Sequence, residues 1–366
     1  MSEELCFDPF GRIKPGSEVM VAFSGGVDSS VAAYLCKKAG LKVKAVTMRL
    51  LGNGPGETAK AERMAELLDL DLEIVDLQEA FEQQVLRRTW EEYAVGRTPN
   101  PCTICNPVFK FGVLADFARA GGCSALVTGH YARIGADPQG RVYLKKGLCA
   151  EKDQSYFLFG LRPEQLEYAC FPLGDLQKSQ VRQIARELEL PCAEDKESQD
   201  ACFAPQDNSN MAEMLRCRFH EKALPGNFLG MDGSVLGKHC GIHAYTIGQR
   251  KGTGVAMGKP AYVKEIRAED RSVILTTDPG ELLSGKVLLK KANILAPDAQ
   301  GKKELDCFVK IRYRSQAVPA HIVLEEDSCI MTFETPQRAV TPGQAAVFYD
   351  DRETLLGGSY IDRTLS

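Results

Sequence analysis

No run of eighteen or more apolar residues occurs in the 366-residue sequence, so no segment reads as a membrane-spanning helix. Met1 to Gly16 carries acids, proline and glycine where a secretory signal would need an apolar core; the expectation is a cytoplasmic protein with no membrane association. No G-x-x-x-x-G-K-[ST] motif is present. Its nearest approach, Gly254 to Lys259, has the wrong glycine spacing and is followed by Pro260, which excludes a Walker-type phosphate loop. The pair Cys102 and Cys105 has C-x-x-C spacing but lacks the second pair that a zinc site would want. Thirteen cysteines at irregular spacing fit free thiols, redox centres or metal ligands in a reducing compartment better than a disulfide framework. Internal repeats and low-complexity tracts are absent.

The charge is −4 overall, which gives no reason to expect a polyanion as partner. Its distribution does. Lys238 to Arg314 holds 15 Lys and Arg against 8 Asp and Glu, so that stretch is +7 and the remainder is −11. The asymmetry suggests one polyanion-binding face, with a merely solvated charged surface as the alternative.

The most informative stretch is Val19 to Ser30, V-M-V-A-F-S-G-G-V-D-S-S. A short apolar run like a buried parallel strand ends in Ser24, Gly25 and Gly26 before a helical pattern begins. Adjacent glycines let the backbone approach an anion, and the first N–H groups of the following helix point at it without intrahelical partners. Ser24, Ser29 and Ser30 add hydroxyl donors. This loop resembles the pyrophosphate-binding loop of the ATP pyrophosphatases; a serine-rich turn capping a helix is the plainer alternative.

Strand-like runs at Leu41–Met48, Leu72–Leu77 and Ala125–Thr128 alternate with helical patterns at Ser29–Ala39, Thr58–Leu68 and Glu79–Tyr93. That alternation predicts a doubly wound parallel α/β sheet over residues 1–210, with its ligand at the carboxyl ends of the strands. Gly96 to Pro107, with three prolines, predicts a stiff irregular loop presenting Cys102 and Cys105. A helix follows over Val108–Ala120, which places Cys105 just before a helix N-terminus, where a thiolate is stabilised. That favours a reactive or metal-bound cysteine. His130 follows a strand end near the nucleotide loop, and Cys202 is a third candidate thiol in the polar stretch Lys196 to Phe203. Composition shifts near Asn210, predicting a small central domain over 211–272. From about Arg271 onward strand-like runs separated by Gly, Pro and Asp turns predict a C-terminal β-barrel or sandwich over 273–366.

In chain order the sequence contains S-G-G-V-D-S-S, G-R-T-P-N-P with C-N, G-H-Y-A-R, K-D-Q-S-Y-F-L, C-F, Y-T-I-G-Q-R-K-G, R-Y-R and T-P-G-Q-A-A-V-F-Y. The set resembles the bacterial tRNA-specific 2-thiouridylases, the MnmA/TrmU family of the ATP pyrophosphatase loop superfamily. The resemblance implies an adenine nucleotide alpha hydrolase-like domain, a central tRNA-binding domain and a C-terminal barrel. It implies that ATP with Mg²⁺ adenylylates C2 of the wobble uridine in the tRNA anticodon loop, so that AMP can leave and sulfur can enter. By the same resemblance Ala22, Phe23, Ser24, Gly25, Gly26, Val27, Asp28, Ser29, Met48 and Gly129 would bind ATP. Cys202 would carry a persulfide received from a sulfur-carrier protein or cysteine desulfurase, and Cys105 would resolve it through a transient disulfide. Asn100, Pro101 and Cys102 lie where the family touches the flipped base, which must leave the stack to be reached. His130, Lys152, Asp153, Gln154, Arg312, Tyr313 and Gln344 match tRNA-contacting positions, and a monomer is expected.

Many members of the family have Asp where this chain has Cys102, so an acid/base role for that carboxylate does not carry over. A [4Fe–4S] cluster on Cys102, Cys105 and Cys202 then stands beside the disulfide relay as an alternative. Rival readings are another enzyme of the loop superfamily, such as a 4-thiouridine synthetase or an amide-forming ligase, and a non-catalytic tRNA-binding protein. The intact loop argues against the last.

Overall fold

The computed structural model describes residues 8–52, 54–195, 201–205 and 210–365. The stretch 196–200 and residues 1–7 of the N-terminal stretch considered above lie outside the described set.

Five parallel strands form the first sheet, in the order β3-β2-β1-β4-β7: β1 (Glu18–Ala22), β2 (Lys42–Arg49), β3 (Asp71–Asp76), β4 (Leu126–Val127) and β7 (Ala169–Cys170). Alternate residues of β1 point to opposite faces. Val19 and Val21 enter a core with Val31, Ala32 and Cys36 of α1 (Val27–Lys38) and with Met64 and Ala65 of α2 (Ala59–Leu67). Met20 enters a second core with Phe111, Leu114, Ala115 and Ala118. A strand buried on both faces must be apolar throughout, which is why β1 reads as a continuous run. Helix α3 runs over 78–94, with its middle part (Glu82–Arg87) widened into π-helical turns. The antiparallel pair β5 (Ala132–Ala136) and β6 (Val142–Lys146) follows β4.

The irregular loop expected through Pro107 is half helix. A helix, α4, begins at Pro101 and runs without interruption to Ala120, π-helical from Asn106 to Val113. Pro101 occupies the first helical position, where its missing N–H costs nothing, and Asn100 caps the helix by accepting the Cys102 N–H at 3.1 Å. Pro107 is tolerated inside because the widened turns shift the bonding pattern that a proline would otherwise break. Its carbonyl takes a bond from Gln165 Nε2 at 2.8 Å.

After α5 (Pro163–Tyr168), α6 (Lys178–Glu187) and α7 (Met211–Arg218), a four-stranded sheet of order β10-β11-β8-β9 forms the middle of the chain: β8 (Gly226–Leu229), β9 (Val235–His239), β10 (Tyr262–Arg267) and β11 (Ser272–Thr276). Strand β11, expected to open the C-terminal domain, pairs instead with β10 and β8. The remaining strands are β12 (Leu283–Lys290), β13 (Asn293–Ile294), β14 (Glu304–Lys310), β15 (Val318–Leu324), β16 (Ser328–Arg338), β17 (Ala345–Tyr349) and β18 (Leu355–Leu365). They follow the order β12-β16-β15-β14-β17-β18-β13, and pairing of β12 with β18 closes six of them into a barrel rather than a sandwich. Ala345, Val347, Tyr349 and Leu355 of the barrel share the core that holds Met20 and Phe111, so barrel and α/β sheet pack into one apolar interior.

Candidate active site

The glycine loop sits at the carboxyl end of β1, between strand and α1. Ser29 Oγ lies 3.2 Å from Ser24 Oγ and donates to the Gly26 carbonyl at 3.1 Å, which draws the loop into a tight turn. Gly25 has φ +71°, and a Cβ there would lie 2.5 Å from the Lys60 carbonyl oxygen. Gly26, with φ −79°, would set a Cβ no nearer than 3.5 Å to any atom, so the strict requirement for glycine falls on Gly25. Gly129 also abuts α1: its Cβ would come 2.9 Å from the Asp28 carbonyl carbon. Phe23 is buried, and Ala22 and Met48 pack against the second core.

Asp28 is held by two residues that carried no sequence signal for this role. Tyr131 OH donates to Asp28 Oδ1 at 2.8 Å and Lys178 Nζ at 2.6 Å. Tyr131 lies within G-H-Y-A-R but is buried like a core residue, and Lys178 opens a helix 150 residues away. Only the fold brings them together.

His130 is buried between Phe111 and Phe171, with ring centroids at 5.7 and 5.9 Å, and its Nδ1 lies 2.7 Å from Thr128 Oγ1. Burial, aided by the nearby Lys110 charge, pushes its pKa well below the usual 6.5, so the ring is neutral. Asp153 is likewise buried, its Oδ1 accepting the Gly147 and Ser155 N–H groups at 3.1 Å each. Gln154 Oε1 accepts the Tyr131 N–H at 3.0 Å. Lys152 is half-buried at the same turn.

Cys102 and Cys105 lie half-buried on α4, and Cys202 is exposed on its own segment, next to Phe203, which packs on Phe81. At all three thiols burial raises the pKa and the positive charge of Lys110 opposes it. Cys105 is not at a helix N-terminus: it lies inside the continuous helix, where no orphan N–H groups face it. Burial pushes its pKa up to about 12, against the opposing pull of Lys110. Burial also raises Cys102. Cys202 moves the same way, since protein crowds its sulfur although water reaches the residue. The expectation of a helix-stabilised thiolate is therefore corrected. Among the described residues no set of three or more His, Cys, Asp or Glu side chains is arranged to hold a metal ion.

From the barrel, Tyr313 packs its ring on Phe157 at 4.4 Å. Arg312 Nη2 donates to the Ala339 carbonyl and, at 2.7 Å, to Thr341 Oγ1, so its guanidinium is partly spent inside the protein. Gln344 Nε2 donates to the Thr98 carbonyl at 2.7 Å, next to Asn100 and the buried Pro101.

The sequence matches the family descriptions "tRNA methyl transferase HUP domain" over residues 17–206, "tRNA methyl transferase PRC-barrel domain" over 213–277 and "Aminomethyltransferase beta-barrel domain" over 284–361. It is 39% identical over 358 residues to a tRNA-specific 2-thiouridylase MnmA of Lachnoclostridium phytofermentans, covering 94% of this chain and 99% of that one. The chain belongs to this family. Two further MnmA proteins, of Syntrophotalea carbinolica and Pelobacter propionicus, are 42% and 41% identical, covering 94% and 93% of this chain and 98% and 96% of theirs. Family membership thus extends across all three parts of the fold, and the named MnmA relatives match the barrel as well as the nucleotide-type sheet.

Proposed function

We propose that the chain is a tRNA-uridine 2-sulfurtransferase that thiolates C2 of the wobble uridine using ATP. The observation that carries the reading is the placement of α4, which bears Cys102 and Cys105 and whose Phe111 packs on His130 at 5.7 Å, next to Gly129, which abuts Asp28 of the glycine loop. One helix therefore joins a phosphate-type loop to a thiol site, which is what activation followed by sulfur transfer needs.

An amide-like carbonyl exchanges oxygen for sulfur only after the oxygen becomes a leaving group. The uridine O2 attacks the α-phosphorus of ATP and pyrophosphate departs into the Ser24–Ser29 loop, whose N–H and hydroxyl donors favour an anion. Mg²⁺ would arrive with the nucleotide, and the Asp28 carboxylate would offer it a hard oxygen ligand. Cys202, as the exposed thiol, is the one a persulfide donor such as a sulfur-carrier protein can reach. Once the donor has passed its outer sulfur to Cys202 as a persulfide and left as a thiol, attack of Cys105 sulfur on Cys202 Sγ breaks that S–S bond, forms a Cys105–Cys202 disulfide and frees hydrosulfide, which adds to C2 and expels AMP. A thiol reductant must then return two electrons to the disulfide. Asn100 and Pro101, at the start of α4, and Tyr313, with Arg312, Lys152 and Gln344 nearby in the motif set, would contact the splayed anticodon loop by stacking and polar contacts. His130, Asp153 and Gln154, turned inward, would support that surface. The relay needs only the two thiols Cys105 and Cys202 and no metal. No described helix is long and apolar enough to cross a membrane.

The test is mass spectrometry of wobble nucleosides after incubating the protein with unmodified tRNA, ATP, Mg²⁺ and a persulfide donor. 2-Thiouridine at the wobble position is expected. Sulfur at C4, or no ATP-dependent sulfur, overturns the assignment.

A further inference from the structure

The barrel grips the cysteine-bearing segment ahead of the thiols and between them. Ahead of α4, the Thr98 N–H donates to the Pro342 carbonyl at 2.9 Å and the Thr98 carbonyl accepts from Gln344 Nε2 at 2.7 Å. Arg97 spends its fork at the same place: Nη2 donates to the Ile361 carbonyl at 2.8 Å, Nη1 to Asp362 Oδ1 at 3.2 Å, and Nε to Glu92 Oε2 at 2.6 Å. Gly343, at φ +91°, stands so close that a Cβ would lie 3.0 Å from the Thr98 nitrogen. Between the two cysteines, buried Thr103 shares a hydrogen bond with Tyr360 OH at 3.0 Å. Just beyond Cys105, Asn106 Nδ2 donates to the carbonyl of Phe157, the residue on which Tyr313 packs.

Simple adhesion of barrel to sheet is supplied elsewhere, by Tyr156 OH to the Ala345 carbonyl at 3.0 Å and by Asn293 Nδ2 to the Phe159 and Leu161 carbonyls at 2.6 and 2.8 Å. The bonds at Arg97, Thr98 and Thr103 are different in kind because they bracket the N-cap of the reactive helix. A planar guanidinium with acceptors on three separate residues fixes both distance and angle, which a single contact cannot do.

We propose that Arg97 is a positioning residue: through Asp362 and Ile361 the barrel sets where Cys102 and Cys105 stand, so the sulfur step depends on a domain that holds neither thiol. The inference rests on the reading above for its chemistry but not for its geometry. In the full chain, Arg97→Lys keeps the charge and loses the fork, and Asp362→Ala removes the acceptor. Iodoacetamide labelling of Cys102 and Cys105, read peptide by peptide without substrate, should change about threefold or more in rate in both variants. The sulfur-transfer kcat should fall roughly tenfold while KM for tRNA and the rate of AMP formation stay within about twofold, since a small misplacement of reacting groups acts on the chemical step. Unchanged labelling and kcat in both variants, with only a lower melting temperature, would overturn the proposal. So would a rise in KM that accounts for the whole loss of activity. If the parent makes no 2-thiouridine, the functional reading fails, and the labelling rates still decide the positioning.

Discussion

Gly25 shows how a single residue can carry a site. A methyl group there meets backbone at 2.5 Å in a conformation that side chains rarely adopt, while Gly26 has room for one. Gly25→Ala is therefore expected to abolish ATP-dependent AMP formation and lower stability by about 1 kcal/mol or more, with Gly26→Ala much milder on both counts. Calorimetric ATP binding and thermal melts of the two variants check this ordering; equal behaviour would remove the close approach as its cause. At the thiols, Lys110 opposes the upward push of burial. Lys110→Gln should raise all three thiol pKa values, so that labelling at fixed pH slows several-fold and each pH–rate profile moves to higher pH. His130 gives a third test. Its folded pKa lies well below the usual 6.5, so the unfolded chain takes up a proton that the folded protein refuses. That contribution to stability is full above about pH 6.5 and is lost as pH falls below it. Melting temperature should drop less steeply between pH 7 and 5 in His130→Gln than in the parent.

At the scale of elements, α4 decides most. Two prolines in its sequence look like breakers, yet one sits at the first helical position and the other is absorbed by π-helical turns. Because the helix starts at the Asn100 cap rather than after Pro107, Cys105 is moved from a helix end to a helix interior. Asn100→Ala should cost about 1 kcal/mol by denaturant unfolding through loss of the cap. It should also change Cys102 labelling, as the capped N–H is that of Cys102 itself. The strands of the α/β sheet were legible because their apolar runs and intervening helical patterns differ in period. The middle sheet was not, since β8, β9 and β10 are short, half-exposed and set among glycines.

Across the whole molecule, the basic stretch is less of a free face than its composition suggests. Lys264 pairs with Glu281, Arg267 with Glu265, Lys290 with Glu92 and Lys291 with Asp327. Phosphate binding should therefore be spread over few cations. Lys152→Ala is expected to lower the slope of log K against log salt for tRNA by about one. Arg312→Ala should also lower the melting temperature, because it breaks bonds to Ala339 and Thr341. A slope unchanged in both variants would place the RNA contacts elsewhere.

What the sequence by itself determined is local: the apolar strand before two glycines, the alternation that makes a parallel sheet, and the motif order shared with the MnmA family. Each depends on residues close together in the chain, whose period and chemistry can be read directly. What only the tertiary structure decided is long-range. Lys178 meets Asp28, Phe111 of α4 packs on His130, and Asp362 meets Arg97 across 265 residues. Closure of β12 on β18 and the core shared by barrel and sheet bring those residues together. Such pairings depend on how faces pack, and no spacing along the chain encodes that distance.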